Sequence, residues 1–201
     1  MWIKICGMTT REAVAAALEA QVDAIGFVFA DSPRQLAPQA ASLLAQPARG
    51  RVPCVAVTRH PTQQALDEIL AAFKPDVLQT DVADLRMLRL PQQLELLPVL
   101  RGRDGEQASL PARLLFEGLA SGTGMPSDWA TARRIARRAQ LVLAGGLSAA
   151  NVASAIAEVQ PFGVDVSSGV EERRGVKSPA EIVRFVSAAR TDTAQHIRTP
   201  V

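Results

Sequence analysis

The chain has 201 residues, of which 48% are hydrophobic, enough for one domain with a substantial core, which we read over residues 1–201. A formal net charge of +2 with 21% charged residues argues against a nucleic-acid partner, and no apolar run approaches the roughly 18 residues that a membrane span needs. The two cysteines, Cys6 and Cys54, make no disulfide framework, and with no signal-like apolar start they lead us to expect a cytoplasmic protein.

In chain order, the first strand is expected at 3–6, ending in Cys6 before Gly7, with Thr9 and Glu12 as a capping box for the helix that follows. A second strand, 24–29, leads into Asp31-Ser32-Pro33-Arg34, and a third, 53–57, holds Cys54, which we assign to the core. Leu66, Ile69, Leu70 and Phe73 then form a helical apolar stripe. The fourth strand, 77–79, ends at Gln79-Thr80-Asp81, after which only 84–90 could be helical. After the fifth strand, 96–100, the segment 102–111 reads as a loop or single turn, so the fifth helix is expected to be reduced or absent.

The sixth strand, Arg113–Glu117, ends on a carboxylate, and Ser127 is a plausible cap for the next helix. Arg133, Arg134, Arg137 and Arg138 fall at helical spacing with no interleaved aromatic residues. That pattern is a solvated helix face, not a nucleic-acid stripe. The seventh strand, 141–144, runs into Gly145-Gly146, with Ser148 as a cap and Val152, Ala155, Ile156 and Val159 as the next stripe. The eighth, 163–167, contains Asp165 and runs into Ser168-Gly169. Ser178-Pro179-Ala180-Glu181 opens a last helix with Ile182, Val183, Phe185, Val186 and Ala189 facing inward, and the polar stretch from about 191 to 201 reads as a flexible tail.

Eight strand-then-helix units in about 200 residues predict an α/β fold, a short (β/α)8 TIM barrel. An open doubly wound sheet would carry a glycine-rich phosphate turn after its first strand, and Cys6-Gly7-Met8-Thr9 is not one. In a barrel the chemistry sits where strands end. There the sequence gathers Cys6, Arg34, Asp81, Glu117, Gly145, Gly146, Asp165, Ser168 and Gly169. By strand alternation Lys4 and Cys6 share one face and Ile3 and Ile5 the other. Lys4 could favour a Cys6 thiolate or pair with an inward carboxylate such as Asp165. Gly145-Gly146 and Ser167-Ser168-Gly169 end the strand pair at which barrels often hold phosphate. His60 and His196 have no cysteine at ligand spacing, so no metal motif is present.

Lys4-Ile5-Cys6-Gly7, Gly26-Phe27-Val28-Phe29 with Ser32-Pro33-Arg34, Gly122-Thr123-Gly124 with Asp128-Trp129, Leu143-Ala144-Gly145-Gly146-Leu147 with Asn151-Val152, and Val164-Asp165-Val166-Ser167-Ser168-Gly169-Val170-Glu171 together resemble the phosphoribosylanthranilate isomerase family. The resemblance implies the Amadori rearrangement of N-(5-phosphoribosyl)anthranilate in tryptophan biosynthesis, a phosphosugar–anthranilate substrate, no cofactor, no metal, and a monomer or homodimer. It makes Cys6 the base and Arg34 the holder of the anthranilate carboxylate. It places the phosphate at Gly145, Gly146, Ser168 and Gly169, and Asp165 near the sugar hydroxyls.

Two positions depart from the family pattern. Glu117 stands where the family has its acid, an aspartate, and we expect Glu117 to be that acid with a raised pKa. Asp81 stands where histidine is common, and an added negative charge there is unfavourable unless it is paired or turned away. Those departures leave two alternatives: a catalytically silent phosphosugar-binding protein on the same barrel, or a related phosphosugar isomerase. A synthase would want catalytic lysines, and of Lys4, Lys74 and Lys177 only Lys4 falls near a strand end.

Overall fold

The computed structural model describes residues 1–102, 109–118 and 128–195, with side chains through residue 191. Eight strands, β1 (Trp2–Cys6), β2 (Ala24–Val28), β3 (Cys54–Val57), β4 (Val77–Asp81), β5 (Glu95–Arg101), β6 (Arg113–Glu117), β7 (Gln140–Leu143) and β8 (Gly163–Val166), form a closed barrel in sequence order. Neighbours are parallel throughout, and β8 returns to pair with β1, so Lys4 lies beside Asp165. Each expected strand is present with ends shifted by no more than two residues.

Helices pack outside: α1 (Arg11–Glu19), α2 (Pro38–Ala45), α3 (Gln63–Ala72), α4 (Val82–Leu85), α5 (Trp129–Ala136), α6 (Val152–Val159) and α7 (Pro179–Gln195). The period-2 alternation of the strands splits the apolar residues into two cores. Ile3, Ile5, Phe27, Leu78, Phe116, Leu143 and Val164 face the helices. Ala24, Val55, Val77, Leu97, Val99, Leu115, Val142 and Ala144 fill the barrel interior, with Trp2 and Phe162 packed against them. A filled interior means that only the mouth is free for chemistry.

Several local expectations need correction. Thr10, not Thr9, caps α1, accepting the Ala13 N–H, while the Thr9 hydroxyl donates to the Gly175 carbonyl. Asn151 precedes α6 in place of Ser148, whose N–H donates to the Asn151 side chain in the entering turn. Asp128 caps α5, and Ser127 lies outside the described residues. The short helix after β4 begins at Val82 and ends at Leu85, earlier than expected, because the chain turns directly off Asp81. Val183 is 53% exposed and belongs to the solvent side of α7.

The Ser178 hydroxyl accepts from the Glu181 N–H, as its motif predicts. The four clustered arginines after Ala132 are exposed. No helix connects β5 and β6 among the described residues, residues 103–108 lying outside them. α7 continues to Gln195, into the segment read as a tail. Among the described residues no helix is long and apolar enough to cross a membrane.

Candidate active site

A cavity of about 750 Å³ opens at the C-terminal ends of the strands, lined among others by Cys6, Arg34, Gln79, Arg101, Glu117 and Asp165. A smaller hollow of about 40 Å³ adjoins it, lined by Gly145 and Gly146 and sharing Glu117, Asp165, Ser167 and Ser168 with it. The first volume suits a drug-sized ligand. Cys6 and Glu117, 111 positions apart in the chain, thus open onto one space.

Cys6 reaches that space because β1 turns Lys4 and Cys6 inward, and because β2 offers them Gly26. A Cβ at Gly26 would stand 3.1 Å from Cys6 Sγ and 3.2 Å from Lys4 Cε. Lys4 is fully buried and donates to Asp165 Oδ1 at 2.6 Å, and it also favours the Cys6 thiolate, so both of its expected roles are present. Burial pushes the Cys6 thiol up, and Asp165 adds to this, while Lys4 and Lys177 only partly oppose it. The positive neighbours do lower the thiol pKa, as the sequence suggests, but desolvation outweighs them and the net shift is upward. Burial also works against charge on Lys4, but Asp165 and Cys6 outweigh it and its pKa is raised. Cys54 is buried in β3 and away from the cavity, as expected, its thiol pushed up by burial to about 11.

Lys177 is the largest surprise for a reading of strand ends. It lies on β10 (Val176–Lys177), which pairs with β9 (Glu171–Arg173) in a hairpin after β8. Its ammonium donates to the Ser167 carbonyl at 3.0 Å and hydroxyl at 3.2 Å and to Glu171 Oε1 at 2.8 Å. The Ser167 hydroxyl in turn donates to the Cys6 carbonyl at 3.0 Å. Lys4 is thus not the sole lysine near a strand end. Burial lowers the Lys177 pKa in spite of Glu171.

Arg34 lines the cavity, but its fork is occupied. Nε and Nη2 donate to the two oxygens of Glu171 at 2.6 and 3.0 Å, leaving Nη1 for a ligand. Burial raises the Glu171 carboxyl, yet the bonds from Arg34 and Lys177 prevail and hold it below its ordinary value. Gly145 and Gly146 both have positive φ, +88° and +68°, the conformation glycine adopts without steric cost. Gly169 lines neither cavity, and its turn is closely packed: a Cβ there would fall 1.9 Å from the Leu147 carbonyl oxygen.

Asp81 is paired. Arg101, the last residue of β5, donates through Nε to its Oδ1 at 2.9 Å and through Nη1 to Glu117 Oε1. Strand-end reading missed Arg101, since the residue closes a strand on its own and is followed by no recognisable motif. Gln79, named as a polar strand end, has a buried Oε1 without a hydrogen-bond partner, an acceptor suited to a ligand donor. His60, Asp81 and Asp84 bring potential ligand atoms within 4.8 Å of one another. Most of their atoms hold one another: Asp84 accepts from the Thr80 hydroxyl and the His60 N–H and faces His60 Nδ1, Asp81 Oδ1 accepts from Arg101, and Asp81 Oδ2 stands 3.6 Å from His60 Nε2. The group reads as a polar cluster bracing the strand ends.

A profile described as N-(5'phosphoribosyl)anthranilate (PRA) isomerase matches residues 3–188. The chain belongs to that family. It is 38% identical over 214 aligned residues to the N-(5'-phosphoribosyl)anthranilate isomerase of Mesorhizobium japonicum, covering 96% of this chain and 98% of that one. Among solved structures it resembles TrpF from Jonesia denitrificans, at 35% identity and a TM-score of 0.77 over 96% of this chain and 98% of that one. It also resembles the phosphoribosyl anthranilate isomerase from Thermotoga maritima, at 28% identity and a TM-score of 0.81 over 94% and 98%.

Proposed function

We propose that Cys6 and Glu117 are the base and acid of the Amadori rearrangement that the family carries out. The chain is an isomerase of tryptophan biosynthesis acting on N-(5'-phosphoribosyl)anthranilate. The observation that carries the residue assignment is that both groups line one cavity, with the β7 and β8 turns beside it. Glu117 protonates the ring oxygen as the C1–O bond breaks, and the anilino nitrogen supplies the electron pair that forms the Schiff base. The Cys6 sulfur removes the C2 proton. The electrons of that C–H bond form the enolamine, which becomes the ketone as C1 gains a proton and the C2 hydroxyl gives one up.

The Gly145-Gly146 turn and Ser168 receive the phosphate through backbone N–H groups. Gly169 supports them by letting its turn approach Leu147. Arg34 meets the anthranilate carboxylate through Nη1, with Glu171 holding the fork in place. Asp165, tied to Lys4, stands near the sugar hydroxyls. No step calls on a metal or cofactor.

The test is turnover of freshly made substrate, followed as loss of anthranilate fluorescence. Glu117→Gln should lower kcat by about a thousandfold, within the usual range for general acid catalysis, with an unchanged circular dichroism spectrum. Near-normal activity in that variant removes Glu117 from the mechanism.

A further inference from the structure

The two departures from the family pattern meet at one guanidinium. Arg101 lies directly opposite Glu117 in the β5–β6 ladder. It bonds Glu117 through Nη1 and Asp81 through Nε. The Arg101, Asp81 and Glu117 side chains are 14%, 12% and 11% exposed. Arg101 and Glu117 line the large cavity, whereas Asp81 stands behind them, its other oxygen 3.6 Å from His60 Nε2.

We propose that Arg101, held from behind by Asp81, is a positioning residue that fixes the Glu117 carboxyl group against the sugar ring. This rests on the reading of Glu117 as the acid. A glutamate carries one more rotatable bond than the aspartate it replaces, and a misplacement of about 1 Å can cost on the order of a hundredfold in rate. A planar fork anchored on the neighbouring strand removes that freedom, which a lysine would not do. The cost of the arrangement is electrostatic, since a guanidinium beside a carboxylate favours its ionised form. Asp81 offsets this by sharing the same positive charge. Among the described residues, the charged or titratable groups that line the same cavity besides Arg101 are Cys6, Asp165, which is tied to the buried Lys4, and, farther round the mouth, Asp31, Arg34, Arg59, Glu171, Arg173 and Arg174. Asp81 in this position is thus useful because Glu117 is present, and Arg101 links the two.

The experiment measures kcat and KM of the full chain across pH for Arg101→Gln, Arg101→Lys, Asp81→Asn and Glu117→Gln. Arg101→Gln should lower kcat by about ten- to a hundredfold with KM within about threefold of the parent. An acid works protonated and the Cys6 base works ionised; because a carboxylic acid ionises below a thiol raised by burial, the acid sets the break on the acidic side of the kcat profile. Loss of the guanidinium should move that acidic limb upward by about one pH unit. Asp81→Asn removes the countering negative charge and should move the limb downward. Arg101→Lys should restore the limb but not kcat. Arg101→Gln in the Glu117→Gln background should cause no further loss.

A rise in KM above about tenfold with an unmoved pH limb would overturn the proposal, because it would make Arg101 a holder of a substrate anion. Unchanged kcat in Arg101→Gln, with Glu117→Gln inactive, overturns the positioning role while leaving the acid intact. An active Glu117→Gln overturns the acid assignment and this proposal with it. If Arg101→Gln does not fold, Asp81→Asn and Arg101→Lys decide the matter by the opposite behaviour of their limbs.

Discussion

Cys6 illustrates how one side chain answers to several neighbours. Two ammonium groups flank it, yet burial dominates and its thiol is raised above the ordinary range. The free enzyme at neutral pH therefore carries mostly thiol, and the thiolate fraction rises with pH. Alkylation of Cys6 by iodoacetamide, followed by mass spectrometry, should accelerate about tenfold per pH unit between pH 7 and 9. A rate already level at pH 7 would contradict the burial argument. Cys54, pushed up to about 11 and fully buried, serves as the unreactive internal reference. The thiol lay open to a sequence reading because it ends a strand. Its raised pKa did not, because desolvation depends on what covers it.

At the scale of elements, the turns after β7 and β8 act as one unit. Gly169 lets the second turn press against the carbonyl of Leu147 in the first. Gly169→Ala cannot be accommodated by a rotamer change, since the obstacle is backbone. It should lower stability by about 1–3 kcal/mol, measured by urea denaturation, and raise KM more than it lowers kcat. An unchanged denaturation midpoint would mean that the two turns are free to separate. The caps show the same division between pattern and geometry. Ser178-Pro179-Ala180-Glu181 specified its helix start locally. Thr9 and Thr10 are adjacent threonines, and Thr10 became the cap because Thr9 is drawn to the Gly175 carbonyl.

For the whole molecule, buried ion pairs at the mouth link stability to pH. Glu171 has a carboxyl held low by Arg34 and Lys177. A depressed carboxylate contributes stability above its unfolded value, about 4.3, and that contribution is lost as pH falls through the folded value. The stability gap between the parent and Glu171→Gln, from urea titrations, should shrink as pH drops from 6 to 3. A gap independent of pH would remove Glu171 from the acid response. Lys4 works in the opposite sense: its raised pKa contributes stability that is present at neutral pH and lost only at strongly alkaline pH.

The sequence by itself determined the barrel, because alternating apolar strands and amphipathic helices leave one economical way to bury both faces of each strand. It also determined which residues sit at the strand ends, since a strand's position follows from its apolar run, and the motifs there carried the family. Only the tertiary structure decided which charges meet. It filled the Arg34 fork with Glu171, brought Lys177 from the β9–β10 hairpin to Ser167, and strung Asp81, Arg101 and Glu117 across three strands. The physical reason is range. Hydrophobic period is a local property that repeats along the chain, whereas a buried charge takes its partner from whatever strand the closing of the barrel lays beside it.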